Sequence, residues 1–262
     1  MRETIAKLMD GIARENGVKI LFAIENGSRA WDMASADSDY DVRFVFYRPV
    51  DDYLTLSPKE DVLVRAFTAD LEPCDVSGSV FDMSGFDVFK YLKLLASSNP
   101  TAIEWLYSPI VYTGSNDIFL RDYMGKNFSQ KKLFYHYFSL YKKMRDRYVR
   151  DREKLTYKQY LYCFRGLLNA RYVYRSDALP PLSFAKTVGA MRDDMPADVF
   201  DLINEVIQIK SSGQEKDPVP HIRIFDDYFD EKEREDYTVF SDRRPDRAVL
   251  EKELKNILAG NI

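Results

Sequence analysis

The stretch 18–47 constrains this chain more than any other. Residues 18–24 form an apolar run of strand length that delivers the chain to Asn26-Gly27-Ser28, a turn signal. A short helical stretch around 28–33 and a polar loop over 34–38 lead into a second apolar-rich run, 39–47, which reads as another strand. Ahead of both, Ile5, Leu8, Met9 and Ile12 recur at helical spacing, and Asn16-Gly17 tolerates a left-handed cap, so residues 3–16 predict a helix that stops before the first strand. The order is helix, strand, turn, short helix, strand, which puts helices and strands into one unit.

Two more strands are expected over 62–69 and 76–83, the second ending at Ser84-Gly85. Val88, Tyr91, Leu92 and Leu95 then mark one face of a helix that stops before Asn99-Pro100, because a residue preceding proline is biased away from helix. After Tyr112 the strand signals fade. The rest reads as helices rich in Tyr, Phe, Lys and Arg, broken near 178–181 and over 211–220. A boundary near 112–125 follows, giving a core of 1–115 and a helical domain of 116–262, which suits a length of 262 residues.

The 38 basic and 42 acidic residues leave a net charge of −4, so the chain as a whole carries no signature of nucleic-acid or membrane binding. The average hides an asymmetry. Residues 126–175 hold 14 Lys and Arg against 3 Asp and Glu, with 13 Tyr and Phe between them. Such a mixture can grip a nucleic-acid backbone and stack bases on rings, or it can be a helical bundle with an aromatic core and a solvated basic face. Residues 226–236, with seven acids to two bases, read as a solvated surface segment. Cys74 and Cys163 lie far apart with no metal-ligand spacing, which fits a reducing cytoplasm. No signal peptide and no membrane-spanning run are expected.

Chemistry concentrates in the segment GSRAWDMASADSDYDVRF, residues 27–44. Asp39 and Asp41 sit two apart at the start of a predicted strand, where side chains alternate between faces, so both carboxylates project the same way and need a counter-ion. A pair of oxygen donors suits Mg²⁺, which takes one or two protein carboxylates and completes its shell with water and phosphate oxygens. A third carboxylate on a neighbouring strand would complete a two-ion site, and Asp82 is favoured for it over Asp75 and Asp87. Asp87, in the first turn of a helix, reads instead as complementing the helix dipole. Gly27 and Ser28 supply the other half: a tight turn, unpaired N–H groups at a helix start, and a hydroxyl donor, together a phosphate cradle.

Gly-Ser followed after about ten residues by Asp-x-Asp on a strand resembles the nucleotidyltransferases of the DNA polymerase β superfamily. The neighbouring residues narrow the resemblance. Gly27-Ser28-Arg29-Ala30-Trp31, Ser35, Asp37-Ser38-Asp39-Tyr40-Asp41-Val42-Arg43-Phe44, Asp82, Gly85, Asp87, Lys90, Asn99-Pro100, Glu104-Trp105-Leu106 and Ser108-Pro109 are similar to the RNA-repair-pathway nucleotidyltransferases associated with RNA ligases. Lys158-Gln159-Tyr160-Leu161-Tyr162, Arg165 and Pro180-Pro181 continue it, so it spans residues 20–185. Asp32 and Phe86 stand where the family pattern has Gly and Trp, which bears on substrate detail and not on reaction class.

The resemblance implies an α+β fold, with a polymerase-β-like core of mixed sheet and flanking helices followed by an all-helical domain. It implies a cleft between the two, and transfer of a nucleoside monophosphate from a nucleoside triphosphate such as ATP to an acceptor hydroxyl. Mg²⁺ or Mn²⁺ would be held by Asp39, Asp41 and Asp82, the acceptor would be an RNA end, and an RNA ligase is an implied partner. Relatives draw a basic residue for the triphosphate from the helical domain, and Lys158 and Arg165, seven apart on one helical face, are the matching positions. Arg29 and Arg43 either contact phosphate or serve as ion-pair partners of the carboxylates. Trp31 reads as packing, Glu104-Trp105-Leu106 as core, and His136 and His221 carry no assignment. Two other readings stay open: a toxin–antitoxin-type transferase that nucleotidylates a protein, and a non-catalytic RNA- or nucleotide-binding module.

Overall fold

A computed structural model describes residues 1–35, 38–150, 152, 155–211 and 217–261. Asp37 of the motif, and parts of the expected loop at 34–38 and break at 211–220, lie outside the described residues. The chain begins with α1 (Arg2–Asn16), β1 (Lys19–Glu25), the single turn α2 (Gly27–Ala30), β2 (Tyr40–Tyr47), β3 (Val62–Phe67) and β4 (Phe81–Asp87). It continues with α3 (Val88–Ala96), α4 (Pro100–Tyr107), β5 (Val111–Gly114) and α5 (Phe119–Lys126). Then come α6 (Gln130–Tyr148), β6 (Leu155–Thr156), α7 (Tyr157–Ser176), α8 (Phe184–Ala190), α9 (Ala197–Ser211), β7 (Pro218–Val219), α10 (Arg223–Glu233) and α11 (Arg247–Leu258).

Two compact units divide this chain: Met1–Ala30 with Asp39–Phe128 and Arg244–Ile262, and Trp31–Ser38 with Ser129–Arg243. They interleave in sequence, whereas the sequence places one after the other at residue 115. The C-terminal helix α11 belongs with the sheet, where it packs on α3, and the loop after α2 belongs with the helices.

In the first unit five strands lie in the order β3-β4-β2-β1-β5; β2 and β4 are parallel and every other pair is antiparallel. The sheet is therefore mixed, and with its flanking helices it is the α+β core expected. Phe22, Ala23 and Ile24 are all fully buried although successive strand side chains face opposite ways, so both faces of β1 are covered. Ile5, Met9 and Ile12 of α1 cover one face against Ala23, Val42, Phe44, Phe46, Phe81 and Met83. Each such side chain contributes about 1.5–3 kcal/mol on burial.

The strand expected over 76–83 starts later and runs further. Residues 76–78 form a 3-10 turn, and β4 passes straight through Ser84-Gly85, the dipeptide that reads as its stop. Gly85 is there to make room: a Cβ at this position would lie 2.1 Å from Cε2 of Phe44 on the adjacent strand. The strand signals fading after Tyr112 hide β5, four residues long, which pairs with β1 at the sheet edge. Asp87 caps α3 by accepting from the Phe89 N–H at 2.9 Å, and Asn99 caps α4 in the same way with Pro100 in its first turn. Trp105 is core, stacked on Phe86 and Tyr91.

In the second unit α6 and α7 pack together over an aromatic core. Phe134, Tyr137, Phe138, Tyr141, Tyr160 and Phe164 are buried, with ring contacts to Phe225, Phe229 and Tyr237. Of the two readings of the stretch 126–175, the buried aromatic core therefore holds for these rings, and base stacking does not. The acidic run also needs correction. Arg145 pairs with Asp230 at 2.6 Å and Glu233 at 2.8 Å, and Arg171 with Glu235 of the run and with Asp194 outside it, so part of the run supplies counter-charges to buried arginines. Among the described residues no helix is long and apolar enough to cross a membrane.

Candidate active site

Residues 25–30, 39–43 and 81–84 build the site at one end of the central strands. Parallel pairing of β2 with β4 sets Asp41 directly beside Asp82. Both carboxylates reach the same cation: Nη2 of Arg43 donates to Asp41 Oδ1 at 3.2 Å and to Asp82 Oδ2 at 2.7 Å. The remaining donors of that guanidinium fix it in place, with Nη1 reaching the carbonyls of Asp82 at 2.9 Å and Val42 at 3.0 Å. The side chains of Arg43, Asp41 and Asp82 are 17%, 34% and 20% exposed, so the cluster is open to solvent on one side. Arg43 is thus an ion-pair partner of the carboxylates.

Gly27 makes this arrangement possible. It holds a left-handed conformation at φ 62°, and a Cβ there would lie 1.9 Å from Asp41 Oδ2. Any side chain would occupy the space of the carboxylate itself. The close approach that the glycine permits is therefore first of all to Asp41. Ser28 follows in the single turn of α2, half-buried. Arg29 ties that turn to the start of β2, with Nε donating to the Asp39 carbonyl at 3.2 Å and its guanidinium 4.0 Å from the Tyr40 ring centre.

Asp39 is exposed, one residue ahead of β2, and takes no part in the Arg43 bridge. Among the described residues no three carboxylate, imidazole or thiol groups are gathered closely enough to hold a metal ion. Asp41 and Asp82 are brought together by Arg43; Asp39 is not brought into that bridge. Lys158 and Arg165 lie on α7 in the other unit, where they share one aromatic pair: Arg165 stacks 3.6 Å from the Trp31 ring centre, Lys158 lies 5.9 Å from that of Tyr162, and the two rings meet edge to face. Trp31 packs, as expected.

A model of the RNA repair pathway DNA polymerase beta family matches residues 1–258. The chain belongs to the RNA repair pathway DNA polymerase beta family. Membership makes it a nucleotidyltransferase of the polymerase β superfamily, and the paired carboxylates of β2 and β4 are where that family chemistry is to be sought. The uncharacterized protein YcgL of Bacillus subtilis (strain 168) is 26% identical over 268 residues, covering 100% of this chain and 96% of that one. A crystal structure of a nucleotidyltransferase-like protein from Exiguobacterium sibiricum 255-15 is 14% identical, with a TM-score of 0.30 over 98% of this chain and 89% of the other.

This family member also has a site residue that sequence reasoning overlooked. Glu25, the last residue of β1, is fully buried directly behind Asp41. Its Oε1 accepts from the backbone N–H of Asp41 at 2.8 Å, and Oε2 accepts from the Tyr112 hydroxyl. Burial pushes its carboxyl up to about 7, with the Tyr112 and Asp41 hydrogen bonds opposing the shift and the nearby Asp41 charge adding to it. The only signal in the sequence is a charged residue closing an otherwise apolar strand.

Proposed function

We propose that this protein transfers a nucleoside monophosphate from a nucleoside triphosphate, ATP among them, to the hydroxyl of an RNA end. One observation carries the reading: two carboxylates on neighbouring strands converge on a single cationic atom, Arg43 Nη2. A site that already gathers Asp41 and Asp82 around positive charge, with only oxygen donors and one open side, suits a hard divalent ion. Asp41 and Asp82, joined by Asp39 from the loop, would hold Mg²⁺ or Mn²⁺. That ion, when bound, neutralises charge building on the phosphate oxygens in the transition state.

The chain's own residues then act by positioning. Gly27 leaves the Asp41 carboxylate its space, and Glu25 and Tyr112 lock the backbone that carries it. Arg43 offsets the repulsion between Asp41 and Asp82 and keeps them in register. Ser28 and the N–H groups of the turn around Gly27 are assigned to the β- and γ-phosphates. The acceptor oxygen forms its bond to the α-phosphorus, the bond to the bridging oxygen breaks, pyrophosphate leaves, and the hydroxyl proton passes to solvent. The family description supports RNA as acceptor; an RNA ligase acting on the same ends as partner and the cytoplasm as compartment belong to the same proposal.

The test is transfer of α-labelled nucleotide from each of the four ribonucleoside triphosphates to short RNAs, with Mg²⁺ or Mn²⁺. Label on RNA that is lost in the Asp39→Ala/Asp41→Ala variant is expected. Undiminished transfer by that variant would overturn the assignment, and label on a co-purified protein in place of RNA would move the acceptor to protein.

A further inference from the structure

Helix α6 sorts its side chains by face. Leu133, Phe134, Tyr137, Phe138, Tyr141 and Arg145 are buried against the unit's aromatic core, and Arg145 is neutralised there by Asp230 and Glu233. The opposite face carries Lys131, Lys132, Lys142, Lys143 and Arg147, all exposed. At 100° per residue these five fall within one outward sector, and positions 132, 143 and 147 line up along the axis over about 22 Å. Among the described residues none of the five has a carboxylate partner. The acid on this face, Asp146, is paired with Arg150 at 2.6 Å.

Lys142 lies 5.2 Å from the ring centre of Phe138 and Arg147 5.1 Å from that of Tyr148, but neither contact supplies a counter-charge. The same helix shows what structural cations look like in this unit: Arg145 is buried and doubly paired, as Arg171 is on α7. Five uncompensated cations on one rigid helix repel one another, and they disfavour the folded state unless a polyanion faces them. The face is also free of large aliphatic side chains, since the helix has spent them on the core, so it lacks what a membrane-surface helix would insert. A regular line of point charges fits a regular line of phosphates.

We propose that the outer face of α6 is a docking tract for the sugar-phosphate backbone of RNA. This rests on the reading of RNA as acceptor, and it adds how the RNA is held. With Phe134, Tyr137, Phe138 and Tyr141 of α6 turned inward, the grip of this face is by charge and not by base stacking, so it is independent of sequence. Among the described Tyr and Phe of α6 and α7, Tyr135 is the most open, 43% exposed, and its hydroxyl is tied to the Tyr237 carbonyl.

The test is fluorescence-anisotropy binding of the full chain to a labelled single-stranded RNA of about 20 nucleotides, and to polyuridine and polyadenosine, across a salt series. The comparison is a Lys132→Gln/Lys142→Gln/Lys143→Gln/Arg147→Gln variant, whose exposed positions leave the fold intact by circular dichroism. Binding weaker by about tenfold or more, a salt slope shallower by about 3, and polyuridine and polyadenosine bound within about twofold of each other are expected. An Asp41→Asn variant that binds RNA as the parent does separates docking from chemistry. RNA binding unchanged by the four substitutions overturns the tract while leaving RNA as acceptor. No RNA binding by the parent overturns both, as does binding to anionic phosphatidylserine vesicles or to polyglutamate in its place.

Discussion

The two units use the same chemistry, arginine against carboxylate, to opposite ends. In the helical unit Arg171 is 1% exposed and faces Asp194 and Glu235, while Arg145 at 5% faces Asp230 and Glu233. Here it is the arginines that are buried, each held by two carboxylates, although Asp230 keeps half of its side chain in solvent. On the sheet, Arg43 also bridges two acids, but all three side chains keep a solvent-facing side, and Glu25 and Asp39 add more acid nearby. The lesson is about access and balance. A buried, mutually satisfied network is scaffold, because breaking it strands a charge in low dielectric. A half-open cluster with surplus carboxylate can exchange its internal cation for one that arrives with substrate.

The comparison is broken first at the sheet. Asp41→Asn or Asp82→Asn should lower nucleotide transfer by at least about a hundredfold, which is about 2.7 kcal/mol or more of barrier. Thermal melting should hardly move, since the change also relieves like-charge repulsion. Equal loss of activity and stability would make these acids scaffold like those on α10.

Stability separates the two arginines next. Arg171→Met removes a cation that is 1% exposed and leaves Asp194 to Arg175 and Glu235 to Lys232, and should cost about 2–3 kcal/mol in denaturant unfolding. Arg43→Met should cost about 1 kcal/mol, because water reaches the arginine itself, which is 17% exposed against 1% for Arg171. Similar costs would erase the distinction.

Gly27→Ala tests the packing around the carboxylate. The new Cβ meets Asp41 in a left-handed backbone, so a loss of about 1–3 kcal/mol is expected. Transfer should fall with it, read as a drop in kcat beside a lowered Tm.

Glu25→Gln is the finest probe. Below the ordinary value of 4.5 this carboxyl holds its proton folded or unfolded; between 4.5 and about 7 only the folded chain keeps it. Folding stability should therefore fall as pH rises through that window, by roughly 1–3 kcal/mol, and level off above it. Urea midpoints measured from pH 4 to 8 should show that slope in the parent and a flatter one in the variant.

Much of this was legible beforehand, for a local reason. The helix, strand, turn, short helix and strand over 3–47 follow from residues close in sequence, whereas Asp87, which reads as a dipole complement, and Asn99, which reads as a helix stop, turn out to be N-caps. The extent of β4 was misread because Gly85 answers to Phe44, which is distant in sequence. Glu25 escaped notice because its partners, Asp41 and Tyr112, come from two other strands. The aromatic stretch allowed two readings because periodicity alone does not say which face a helix buries when both carry large polar-tipped rings.

By itself the sequence determined the family, the Gly-Ser turn and the Asp-x-Asp that follows it, since these rest on residue type and short spacing. Only the tertiary structure decided that Asp82 stands beside Asp41, that Arg43 joins them, and that the acids of 226–236 neutralise Arg145 and Arg171. Strand register and helix burial are set by the packing of the whole chain, and a charge acquires its meaning from the partner that packing brings to it.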